Sequence, residues 1–68
     1  MRRKIGGYIF LFTQSDHDGR HIHVFRDNEE IGVFDRIDGS IRGLEQQLGK
    51  SLREALDEFI ALLDERGL

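Results

Sequence analysis

The chain has no cysteine, no proline and no tryptophan, and a single methionine and a single tyrosine among its 68 residues. Without cysteine there is no disulfide and no thiolate metal site, so nitrogen and oxygen must hold any bound metal. A domain this short buries only about 60% of the surface its unfolded chain exposes. With no covalent staple, oligomerisation, a partner or a nitrogen/oxygen metal site is the usual support. No apolar run approaches the roughly 20 residues of a membrane-spanning helix. Arg2-Arg3-Lys4 is basic, but Ile5-Gly6-Gly7 interrupts the apolar stretch behind it and no export-type cleavage site follows. The expectation is one cytoplasmic domain over residues 1–68, with no membrane partner. A hydrophobic share of 38% is enough for a compact fold and argues against a disordered chain.

What is present is unevenly distributed. The formal net charge is −3, yet five bases face two carboxylates through residue 26, and eleven carboxylates face five bases beyond it. All three histidines lie in the basic part. This split suggests an anion-facing patch beside an acidic, solvated face. The alternative is self-complementation, with the basic strands lying against the acidic helices.

Patterning changes once, near Asp38-Gly39. Tyr8–Thr13 is apolar on both alternating faces, which predicts a central strand covered on both sides. Gly6-Gly7 reads as a bend before it, and Arg2–Lys4 as a frayed terminus or an RNA-backbone contact. Gln14–Arg20 carries turn chemistry throughout. In His21–Phe25, Ile22 and Val24 face the core, and His21, His23 and Phe25 face the other way. Asp27-Asn28-Glu29 is a tight-turn candidate leading to a third strand over Ile31–Phe34. Ser40 caps a short helix with Ile41, Leu44 and Leu48 on one stripe and Gly49 as its stop. Ser51-Leu52-Arg53-Glu54 reads as a capping box. Leu52, Ala55, Leu56, Phe59, Ile60 and Leu63 then recur at helical spacing, ended by Gly67. The expected fold is α+β: a three-stranded antiparallel β-meander followed by two C-terminal α-helices packed on one face.

Reactive side chains concentrate in residues 16–26. Residues two apart on a strand share a face, with Cα atoms about 6.6 Å apart. His21 and His23 can therefore converge on one ion or flank one phosphate, with His17 folding back from the preceding loop. Three readings stay open. The histidines serve structure on a half-exposed strand. Or Asp16, His17, His21 and His23 bind zinc or another divalent metal, for which three imidazoles and an oxygen suffice. Or His17, His21 and His23 are catalytic in metal-free phosphodiester chemistry. Imidazoles titrate near pH 6.5, so one can act as base and another as acid. Arg20 and Arg26 then hold the phosphate.

The run Ser15-Asp16-His17-Asp18-Gly19-Arg20-His21-Ile22-His23-Val24, preceded by an aromatic strand, resembles small bacterial proteins known as domain of unknown function 4160. Ser15, Asp16, His17, His21, His23 and Val24 match that motif, with Ile22 for a valine. Gly19-Arg20 replaces the usual Pro-Pro, and the usual aromatic ending is missing. The resemblance implies one component of a two-gene, toxin–antitoxin-like module with a small cognate protein partner. Combined with the histidine surface, it suggests a protein that binds or cleaves RNA. The alternative is a non-catalytic protein-interaction module whose histidines are structural or bind metal. Tyr8, Phe10, Phe12 and Phe25 exceed what two short helices cover, so a homodimer or obligate partner is also expected.

Overall fold

The computed structural model describes residues 1–12, 21–37, 39–43 and 49–68. Gly6-Gly7 takes φ of 59° and 86°, and Asp27-Asn28 takes 53° and 66°. Two successive positive φ values are what a two-residue type I′ hairpin loop requires. The first loop joins β1 (Arg2–Ile5) to β2 (Tyr8–Leu11), and the second joins β3 (His21–Arg26) to β4 (Glu29–Asp35). Together with β5 (Ile41–Arg42) they form one antiparallel sheet in the order β1-β2-β3-β4-β5. The helix α1 (Lys50–Glu65) follows.

Burial follows the strand alternation. Phe10, Phe12, Ile22, Val24 and Phe34 turn to one face and are buried there with Leu52, Ala55, Leu56, Phe59 and Leu63 of α1. The Phe10 and Phe59 rings stack at 5.3 Å between centroids. Each such large apolar side chain contributes about 1.5–3 kcal/mol on full burial. Arg36 pins the far end of the helix. Its Nη1 donates to the Leu68 carbonyl at 3.0 Å and its Nη2 to Asp64 Oδ1 at 3.1 Å. Its guanidinium also lies 5.2 Å from the Phe12 ring centroid. The helix ends as its glycine signal predicts: Leu68 N–H reaches the Leu63 carbonyl and Gly67 N–H the Asp64 carbonyl, the two bonds of a Schellman cap.

This corrects the expected architecture: among the described residues the sheet has five strands rather than three, and one helix follows it rather than two. Arg2–Lys4 is no frayed end. It pairs with β2 through Ile5↔Tyr8 to Arg2↔Leu11, and the chain start is tied to Phe12 through both backbone groups. Ser40 and Ile41 do not open a helix. Asp35 N–H donates to the Ser40 carbonyl at 2.9 Å, and Ile41-Arg42 pairs with Phe34 and Val33. Tertiary pairing there overrides a helical spacing that rests on Leu44 and Leu48, both outside the described residues. The capping box is also absent: Gly49 is the N-cap, there is no side-chain cap hydrogen bond among the described residues, and Arg53 N–H reaches the Gly49 carbonyl. The second cover expected over β2 has no counterpart among the described residues. No described helix is long and apolar enough to cross a membrane.

Candidate nucleic-acid interface

The face of the sheet turned away from α1 collects the remaining side chains. In an antiparallel sheet, directly paired residues share a face. One row therefore runs Arg2, Leu11, His23, Val33, Arg42 across all five strands. A second row runs Lys4, Ile9, Phe25, Glu30. His21 lies opposite Asp35 beside them. Ile9, Leu11, His21, His23, Phe25 and Val33 are all half-buried. The apolar centre is thus flanked by cations on both edge strands.

Each histidine of β3 meets a carboxylate of β4. His23 Nδ1 lies 2.5 Å from Glu30 Oε1, a hydrogen bond between two partly exposed side chains. A carboxylate on Nδ1 selects the tautomer whose lone pair is on Nε2. This contact depends on a β-bulge. The register shifts between Val24 and Phe25, with Val24 opposite Gly32 and Phe25 opposite Glu30, so Ile31 is the extra residue. Unbulged pairing would set Glu30 opposite Arg26, on the helix side; the added residue re-aims it to the open face.

His21 Nε2 lies 3.6 Å from Asp35 Oδ2, an ion-pair separation longer than a hydrogen bond. Asp35 is 6% exposed, the one buried charged residue among those described. Its Oδ1 accepts the Ile37 N–H at 2.9 Å, which satisfies part of the cost of burying a carboxylate. Of the two imidazoles on this strand face, His23 is oriented by a carboxylate hydrogen bond, and His21 sits at ion-pair distance from a second carboxylate.

Not every expected site residue joins them. His21 and His23 share the open face. Arg26 does not: it has the parity of Ile22 and Val24, and its guanidinium lies 5.7 Å from the Tyr8 ring centroid. Asp16, His17 and Arg20 lie outside the described residues. Among the described residues no group of three or more His, Asp or Glu side chains gathers closely enough to hold a metal ion. Glu30, Asp35 and Arg42 are not among the candidate residues of the sequence, whereas Arg2 and Lys4 enter there only as an RNA-backbone contact, the alternative to a frayed terminus. A usable signal existed for Asp35 alone: a carboxylate directly following the apolar run Ile31–Phe34 must find a partner if that strand is buried.

The comparisons with known proteins add nothing to this geometry. No family model, curated protein or solved structure matches the chain. The functional reading therefore rests on the face itself. Among the described residues, its side chains count three cations (Arg2, Lys4, Arg42) against two carboxylates (Glu30, Asp35). The exposed side of α1 carries Glu54, Asp57, Glu58, Asp64 and Glu65, with Lys50, Arg53 and Arg66 interspersed.

Proposed function

We propose that this chain is a small cytoplasmic RNA-binding protein, one component of a toxin–antitoxin-like pair, that engages single-stranded RNA on the open face of its sheet. The observation that carries this reading is the His21/His23 pair, each imidazole set against a β4 carboxylate, within a face flanked by Arg2, Lys4 and Arg42. Phosphates of the strand are attracted by the cations, and the apolar centre accepts bases that a duplex would keep stacked. The module assignment comes from the resemblance of the Ser15–Val24 motif.

The histidine pair also suits strand scission. One neutral imidazole takes the proton from a ribose 2′-hydroxyl, whose oxygen attacks the adjacent phosphorus. The protonated imidazole gives its proton to the departing 5′-oxygen. The products are a 2′,3′-cyclic phosphate and a 5′-hydroxyl end. His23, oriented by Glu30, is assigned as the base and His21, beside Asp35, as the acid.

The test is fluorescence anisotropy and gel analysis with a labelled single-stranded RNA at low salt, with EDTA and separately with zinc. Binding that weakens with added salt is expected, together with scission in EDTA that His21→Ala or His23→Ala removes. Binding without scission restricts the histidines to phosphate contact. A wild-type protein that neither binds nor cleaves RNA under either condition removes the reading and favours a protein partner for this face.

A further inference from the structure

A cavity of about 240 Å³ opens on the same face, lined by Arg2, Ile9, Leu11, Phe25 and Asn28. We infer that it is a base-binding subsite, taking one unstacked nucleobase of the RNA next to the histidine pair. This inference rests on the RNA reading above.

The lining chemistry points to a flat, aromatic occupant with a polar edge. Ile9 is paired directly with Phe25, and Leu11 lies two residues along the same strand, so the three make a continuous apolar floor. Phe25 is the one aromatic side chain of the described residues with the parity of the open face. Tyr8, Phe10, Phe12 and Phe34 belong to the helix side and Phe59 to α1. A ring placed alone on an exposed sheet face is the stacking platform that single-stranded nucleic-acid binders use, since every base offers a π-face.

The polar groups are at the rim. Asn28 carries one amide with both donor and acceptor atoms, the combination that pairs with a base edge. It belongs to the Asp27-Asn28 turn, whose positive φ values fix the backbone beneath it. Arg2 supplies a guanidinium on the other side, suited to a phosphate or a carbonyl edge.

Position and size narrow the occupant further. His23 is opposite Leu11 and two residues from Phe25 on the same face, about 6.6 Å along the strand. A nucleotide with its base on Phe25 thus has its own backbone close to His23. The volume of about 240 Å³ is below the roughly 300–1,000 Å³ of pockets for drug-sized ligands. That size suits a small planar occupant such as one base.

The experiment compares a short oligouridylate with an abasic ribose-phosphate strand of equal length, both labelled, at one fixed low salt concentration. Wild type should bind the base-bearing strand about 5- to 150-fold more tightly, the equivalent of about 1–3 kcal/mol for one stacked base. Phe25→Leu, which keeps an apolar side chain but no π-face, should lose most of that factor while binding the abasic strand unchanged. Phe25→Ala should show the same loss, and its circular dichroism spectrum confirms that the sheet persists. Equal wild-type affinity for the two strands overturns the subsite and leaves the RNA reading standing. So does a preference that survives Phe25→Leu. Failure to bind either strand overturns both.

Discussion

At the scale of single residues, the open face is built by positions that work against the simplest strand geometry. Glu30 reaches His23 because Ile31 is an extra residue in β4, and Asp35 is buried because His21 and the Ile37 N–H meet its carboxylate. Gly43 is a further special position, just after β5. Its φ is 80°, and a Cβ there would come within 2.8 Å of the Ile31 carbonyl oxygen, which is backbone and cannot swing aside. Gly43→Ala is therefore expected to destabilise by about 1–3 kcal/mol through combined strain and clash. Urea denaturation should show a lower midpoint with an unchanged slope. An unchanged midpoint would mean that β5 moves freely away from the bulge.

At the scale of elements, α1 carries the packing and its ends carry the definition. Phe59 is completely buried against Phe10. Phe59→Ala should cost about 3–5 kcal/mol. For a chain of 68 residues, total stability is about 3–10 kcal/mol at 0.05–0.15 kcal/mol per residue. Loss of a cooperative thermal transition, or a large fall in its midpoint by circular dichroism, is the expected result. The helix start makes the opposite prediction. Ser51 makes no capping bond because Gly49 is the N-cap. Ser51→Ala should change stability by only a few tenths of a kcal/mol, where a true serine N-cap would cost about 1 kcal/mol. A loss near the larger figure would restore the capping box.

At the scale of the whole molecule, the sheet separates charge. The edge strand β1 carries three exposed cations, and β5 at the other edge is only two residues long. Both features discourage edge-to-edge association. Arg2→Glu combined with Arg42→Glu, at opposite ends of one cross-strand row, should sharply weaken RNA binding. Every phosphate that is no longer neutralised should also reduce the magnitude of the salt slope by about 0.7. Glu58→Lys, on the exposed side of α1, should leave the slope unchanged. Measuring affinity over a series of salt concentrations for wild type and both variants decides it. Equal slopes in all three would detach RNA binding from this face.

What the sequence by itself determined are the features set by local period and turn chemistry. Alternation over His21–Phe25 places Ile22 and Val24 inside and both histidines on the opposite face. The Asp27-Asn28 pair makes a hairpin because both residues tolerate positive φ, and the stripe from Leu52 to Leu63 makes one amphipathic helix. The tertiary structure decided the rest. Arg2–Ile5 is a strand because β2 supplies its hydrogen-bond partners, and three consecutive basic residues carry no periodic signal of their own. Ile41-Arg42 joins the sheet because Val33 and Phe34 pair with it. Most of the site belongs to this second class. Glu30 and Asp35 meet the histidines through cross-strand register and one bulge, and register between strands is a non-local property that local spacing does not encode.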